Sequence, residues 1–242
     1  MPGIPLNFSS GSTFIYCTRI STFFKVAALP TGQPLVLMDI YGPGICAMQI
    51  NLDSSGTVNA TASYRGGNAF GQLNPGVVDE SSRAVRTGIW YWASIVFRGQ
   101  LDGDDHPVAN HFSLRGQLFD NTGTTPGLQR FEASVPGDYH ESVPCHFGWG
   151  VQLSTSGEDD YPDTPGHQLC CAVIETDTGG TLLNVMSPPT AEPDPTGPWM
   201  KALYLVHEPI NTNVGIADAT SNHYDLLVGP QGNAVVSGSP FA

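Results

Sequence analysis

Basic residues are scarce in this 242-residue chain: nine Lys and Arg stand against 22 Asp and Glu, for a net charge of −13 at pH 7. Wrapping around nucleic acid needs clustered positive charge facing phosphates, so that class of partner is excluded. The imbalance is also uneven, with six basic and four acidic residues up to Leu101 and three and eighteen after it. Such a field favours solubility and basic or cationic partners, including the less acidic portion of a neighbouring copy. Long apolar runs are missing too. No stretch approaches the roughly 20 residues of a membrane-spanning helix, and the opening MPGIPLNFSSGSTFIYC lacks a basic segment followed by an apolar one. These absences predict a soluble chain with no standard secretion signal and no membrane insertion.

Motifs of the common chemistries are absent as well. There is no GxSxG nucleophile elbow, P-loop or dinucleotide fingerprint, and no CxxC pair. The Gly-rich YRGGNAFG contains Arg65 but lacks a phosphate-binding lysine and a strand-to-helix setting, so it reads as a permissive loop. His106, His111, His140, Cys145 and His146 could ligate zinc one by one, yet their spacing matches no Cys/His signature. They are read as surface-loop histidines and a core cysteine. The five cysteines, Cys17, Cys46, Cys145, Cys170 and Cys171, are odd in number and irregularly spaced. Buried free thiols are expected, with adjacent Cys170 and Cys171 on opposite faces of a strand.

What the chain does have is turn chemistry: 28 glycines and 20 prolines with only 13% charged residues, the composition of a turn-rich sheet protein. No 12-residue stretch combines helical periodicity with caps. Short β-prone runs recur instead. They fall within 14–26, 34–41, 45–52, 57–64, 111–119, 131–135, 145–153, 169–176, 182–186 and 224–228, with 199–207 readable as strand or helix. Asp53 to Gly56 reads as a hairpin connection, Gly66 to Glu80 as a loop, and the polar ends MPGIPLNFSSGS and GPQGNAVVSGSPFA as segments that fray unless a neighbour holds them. SPPTAEPDPTGP at 187–198 is a Pro-rich loop, because proline cannot donate to a ladder. The expected architecture is one all-β domain spanning 1–242, a two-sheet antiparallel sandwich or jelly roll of about a dozen strands.

TGIWYWASIVFRGQL at 87–101 places Ile89, Tyr91, Ala93, Ile95 and Phe97 on one strand face and Trp90, Trp92, Ser94, Val96 and Arg98 on the other. Neither face is strongly polar before Arg98, the pattern of a central strand packed on one side and covered at least partly on the other, so Trp90, Trp92, Ile95 and Phe97 are assigned to the structural core. The succession of a strand meander, GIWYWASIVF, a polar loop and HFSLRGQLF resembles the concanavalin A-like and laminin-G-like sandwiches over roughly Phe14 to Asp120. The pattern departs after Phe119, where Asp120-Asn121-Thr122-Gly123 replaces the family's Asp-Gly turn, and the Glu-x-Asp-x-x-Glu arrangement of related β-glucanases is missing. The resemblance therefore implies a binding or structural sandwich rather than a hydrolase.

For ligands, Tyr139, Trp149, Tyr161 and Trp199 lie in or beside turn-rich segments and are the candidate sugar-stacking rings. Asp102, Asp104 and Asp105 in LDGDDH could offer oxygens to calcium, as could Glu158, Asp159, Asp160 and Asp163, although calcium needs about six to eight oxygens and a solvated turn explains either cluster. No paired-carboxylate geometry can be read from such loops, and no cofactor other than calcium is indicated. The reading is a noncatalytic, homo-oligomeric structural or assembly protein of the kind found on a virion, such as a capsid-surface or decoration subunit. The alternative is a carbohydrate-binding jelly-roll domain, with calcium as its optional aid.

Overall fold

The computed structural model describes residues 3–11, 15–75, 84–120, 126–150, 167–177, 183–205 and 216–226. Among these residues twelve strands make two six-stranded antiparallel sheets that pack as a sandwich. In the first sheet the order is β1 (Ile4–Ser10), β10 (Tyr139–Trp149), β3 (Leu35–Gly42), β4 (Cys46–Leu52), β5 (Val58–Tyr64) and β6 (Gly67–Leu73). The second runs β12 (Met200–Tyr204), β11 (His167–Asp177), β2 (Cys17–Val26), β7 (Tyr91–Leu101), β8 (Pro107–Asp120) and β9 (Gln129–Ser134). Strict alternation in β4 and β5 puts Met48, Ile50, Ala60 and Ala62 inside and, apart from Ala47, amides or hydroxyls outside.

The tryptophan-bearing segment is an interior strand, hydrogen-bonded to β2 on one side and β8 on the other. Its inward residues Tyr91, Ala93, Ile95 and Phe97 join the main core. There the Phe97 ring lies 4.6 Å from Phe112, 5.1 Å from Phe8 and 5.4 Å from Tyr64, centroid to centroid, in the offset and edge-on arrangements that aromatic quadrupoles favour. The other face is buried as well. Trp92, 1% exposed, packs with Phe23, Phe119, Cys170, Cys171, Val173 and Leu203.

What covers that outer face is residues 183–199, which cross it as an irregular strap. The Trp92 indole N–H donates to the Met186 carbonyl at 2.7 Å, the Met186 N–H donates to Ser94 Oγ at 2.9 Å, and Arg19 donates to the Asn184 carbonyl at 2.6 Å. Of the strand expected at 182–186, Leu183 to Met186 are described. They do not form one, because their backbone groups are satisfied by side chains of the sheet beneath them rather than by a ladder. Trp90 also departs from expectation: it precedes β7, is half-buried, and meets Phe23 edge-on at 6.4 Å with Lys25 Nζ 4.9 Å above its ring. It closes the rim of the outer cluster and does not enter the inter-sheet core.

Further departures follow from packing. The N-terminal segment expected to fray is β1, held in register along β10 from Ile4 opposite Cys145 to Ser10 opposite Tyr139, with Leu6 and Phe8 fully buried. The chain itself, not a neighbour, anchors it; GPQGNAVVSGSPFA lies outside the described residues. Gly67 to Leu73, expected within a loop, is β6. A Cβ on Gly71 would overlap the Phe131 ring of β9 at 1.8 Å, so the glycine is what lets β9 close the sandwich against β6. Of the run expected at 224–228, the described part contributes one bridge, Leu226 to Ile216.

All five cysteines are buried and free. Cys46 and Cys145 face each other across the strand between them at Gly42, with sulfurs 3.7 Å apart; a Cβ on that glycine would lie 2.7 Å from the Cys46 sulfur. Cys170 and Cys171 do not point to opposite faces. The β11 register shifts between Cys170 and Val173, Cys171 has φ 54°, and both side chains pack in the Trp92 cluster. A bulge of this kind re-aims one side chain.

Candidate functional site

The candidate aromatics are not brought together. Tyr139 and Trp149 stand at opposite ends of β10, about 33 Å apart along an extended strand. Tyr139 meets Tyr64 edge-on at 6.2 Å and takes the Arg65 guanidinium over its ring at 5.1 Å. Trp149 packs beside Tyr204 and donates from its indole N–H to Thr22 Oγ1 at 3.2 Å. Trp199 lies on the other side of the second sheet, against Cys17, Val96 and Leu183. Tyr161 lies outside the described residues. Each ring that can be placed already has a packing role.

The acidic loop is equally occupied. Asp102 Oδ1 accepts the backbone N–H groups of Asp104 and His106, both at 2.9 Å, which holds its carboxyl below the usual range and shapes the β7–β8 hairpin. Asp105 takes φ 61° in the same turn. No group of three or more His, Cys, Asp or Glu able to share a metal is found among the described residues. Glu158, Asp159, Asp160 and Asp163 fall outside them. His111 accepts or donates to Ser134 Oγ at 3.0 Å and reaches the Ala109 carbonyl at 2.7 Å, while His106 stands near Asp102 at 3.8 Å.

An open surface of different character lies on the outer face of the first sheet. Its outward positions are Ala47, Gln49 and Asn51 on β4, Asn59, Thr61 and Ser63 on β5, and Asn68, Phe70 and Gln72 on β6. In a chain of net charge −13, none of these nine positions is charged. Phe70 is 76% exposed, the most exposed large hydrophobic side chain among the described residues, and stands directly opposite Thr61. Charged side chains are the usual cover of an open sheet near its edge, so an uncharged face with one bare ring needs an explanation.

Part of this face is already ordered. Asn51 donates to Gln49 Oε1 at 2.8 Å, and Asn59 donates to Asp53 Oδ2 at 3.1 Å and to Asn51 Oδ1 at 3.4 Å. Asp53 in turn accepts from the Ser55 and Thr57 backbone N–H groups at 2.9 and 3.0 Å, fixing the β4–β5 turn that was expected there. The Thr61, Asn68 and Gln72 side chains make no hydrogen bond among the described residues, which leaves a hydroxyl and two whole amides around the Phe70 ring for a ligand. Sequence reasoning missed this face because Gly66 to Glu80 was assigned to a loop. The signal was present as alternation, with Ala69 and Leu73 inward and Asn68, Phe70 and Gln72 outward.

At the rim of the same sheet, Glu141 binds Arg65 through both oxygens, at 2.8 and 2.5 Å, and accepts the Tyr64 hydroxyl at 3.0 Å. Burial pushes the Glu141 carboxyl up, but the bonds from Arg65 and Tyr64 together with the Arg65 charge outweigh it and hold it below the usual range. Burial, reinforced by this carboxylate, pushes the Tyr64 phenol far up. This is a structural tie between β10 and the β5–β6 turn.

Neither a protein-family model nor a curated protein sequence matches the chain. Among solved structures it is similar to a native heptameric SAP-like pentraxin from Limulus polyphemus, at 13% identity and a TM-score of 0.38 over 72% of this chain and 70% of that one. It is also similar to tailspike protein 2 of the Escherichia coli O157:H7 bacteriophage CAB120, at 14% and 0.33 over 71% of this chain and 21% of that one. A third is scytalido-glutamic peptidase, at 10% and 0.30 over 77% and 88%. These scores and identities are too low to carry a function from any of the three, so function rests on the chain's own geometry. No helix among the described residues is long and apolar enough to cross a membrane.

Proposed function

We propose that the chain is a noncatalytic carbohydrate-binding sandwich of the jelly-roll, concanavalin A-like kind, and that it takes a neutral sugar on the outer face of its first sheet. The observation that carries this is the bare Phe70 ring in an uncharged amide and hydroxyl surface. A pyranose offers an apolar C–H face to stack on a ring and hydroxyls at its edges to bond with amides. Phe70 supplies the first, and Thr61, Asn68 and Gln72 supply the second. The ordered Asn51, Gln49 and Asn59 extend the face for a second sugar residue.

A screen of the purified chain on a neutral-glycan array, followed by calorimetry on the best binder, tests the reading. Neutral glycan binding that falls at least tenfold in Phe70→Ala, with unchanged unfolding, supports it. Absence of binding across the array, or binding that Phe70→Ala leaves intact, overturns it. One observation also favours assembly, in a virion surface or another homo-oligomer: the same uncharged face would bury well against a second copy. Native mass measurement separates the two, because a closed oligomer that dissociates in Phe70→Ala places Phe70 in a subunit interface instead.

A further inference from the structure

The outer face of the second sheet carries two rows of side chains in direct cross-strand register. One runs Glu175, Arg19, Val96, Arg115, Arg130, and the next runs Asp177, Cys17, Arg98, Ser113, Glu132. Four of these charges pair off: Arg19 bonds Glu175, and Arg130 bonds Glu132 at 2.7 Å. Arg98 and Arg115 do not. Among the described residues neither makes a hydrogen bond or ion pair, and the Nε of each is buried without a partner there.

Arg98 is only 3% exposed, and burial lowers its affinity for a proton, with Arg130 as a further like charge. Asp105, in the neighbouring hairpin turn, acts on both arginines only at a distance, and Asp177 stands two strands away beyond Cys17. Ser113, directly opposite Arg98 and two residues before Arg115 on β8, is fully buried, and its Oγ also lacks a partner among the described residues. An uncompensated guanidinium this deep is costly, and three of the chain's nine basic residues converge here against a net charge of −13.

We propose that Arg98, Arg115 and Ser113 form a binding site for a single oxyanion group: a sulfate, phosphate or carboxylate. Arg98 and Arg115 are diagonal neighbours on adjacent strands, whose Cβ atoms stand roughly 7–8 Å apart. Two guanidinium forks at that spacing can converge on one group between them, with the Ser113 hydroxyl donating from below. Cys17 and Val96, packed under Trp199 and the strap, form an apolar floor that excludes water and strengthens those bonds. This site is on the opposite outer face from Phe70 and is independent of the sugar reading.

The test is calorimetry of the full chain with inorganic sulfate, inorganic phosphate and glucuronate, each at matched ionic strength with chloride as the reference. Saturable binding of at least one oxyanion is expected, weakened about tenfold or more in Arg115→Gln and in Arg98→Gln. Without ligand, Arg98→Gln is expected to unfold no earlier than the parent, because it removes a buried charge that lacks a counterion. Arg86→Gln, on an exposed residue elsewhere, and Phe70→Ala leave oxyanion binding unchanged. Which probe binds best distinguishes a tetrahedral group from a planar one. The proposal is overturned if none of the three probes binds, or if both arginine variants bind as the parent does. Either result leaves the Phe70 face untouched.

Discussion

The two outer faces of the sandwich are made from strands of similar length and are finished in opposite ways. Over β2, β7 and β11 the outer face joins the apolar Trp92 cluster to buried polar and charged side chains and is roofed by residues 183–199, so Trp92 is nearly as buried as the inter-sheet core. Over β4, β5 and β6 it is amide-rich and open, with Phe70 bare. A strand apolar on both sides announces that something else in the chain must cover it. A strand that alternates apolar with uncharged polar residues leaves one face for a partner. The proposed sugar contact accordingly lies where the chain stops supplying its own cover.

If the roofed face is a true second core, breaking it should have the largest effect. Trp92→Ala removes the ring and leaves the Met186 carbonyl without its donor. A loss of about 3–5 kcal/mol in urea unfolding is expected, and a loss below about 1 kcal/mol would mean that the strap does not pack as described. Ser94→Ala is the finer cut. Ser94 Oγ is shared by the Met186 N–H and the Ser21 hydroxyl at 2.8 Å, so the variant orphans both at a cost of about 1–3 kcal/mol. Protection of the Met186 amide in hydrogen exchange should fall well before global unfolding.

The open sheet has its own tie in Glu141, and its effect is set by pH. The Glu141 carboxyl is held below the ordinary value of 4.5 in the folded chain. A depressed carboxyl contributes stability that is fully present above its unfolded pKa and disappears as pH falls through the folded one. Glu141→Gln should therefore be less stable than the parent at neutral pH, with the difference shrinking as pH drops from about 5 to about 3. Thermal unfolding across that window checks it, and a difference that grows on acidification would contradict the assignment.

Legibility in the sequence divided along the same line. Alternation and apolar content placed β2, β3, β4, β5, β7 and β8 to within a few residues, because those strands bury one face or both for themselves. Where the cause was tertiary the residues misled. The glycines of β6 suggested a loop, whereas Gly71 is there to admit Phe131. Leu183 to Met186 looked like a strand, whereas their partners are side chains of another element. Adjacent cysteines looked opposed, whereas a bulge turns both to one side. The candidate rings are dispersed for a related reason: an aromatic beside a turn marks full exposure only if nothing folds back on it, and Tyr139, Trp149 and Trp199 all have neighbours. The nine-position uncharged face could not be assembled without knowing that β6 pairs with β5.

The smallest effect on stability should come from the residue on which the proposed function depends. Phe70 is three-quarters exposed, so little of its ring leaves water on folding and Phe70→Ala should shift unfolding by no more than about 0.5 kcal/mol. A ring that stabilises nothing yet stays bare in an otherwise polar face is placed for an external contact. Binding and stability therefore come apart at this position, whereas at Trp92 they cannot. Paired measurements on Phe70→Ala and Phe70→Tyr make the contrast sharp: tyrosine keeps the stacking face and should retain neutral-glycan binding, and alanine should lose it with the fold unchanged. Should Phe70→Ala destabilise the chain as Trp92→Ala does, the first sheet's outer face would be a covered one too, and the distinction between the two faces would fail.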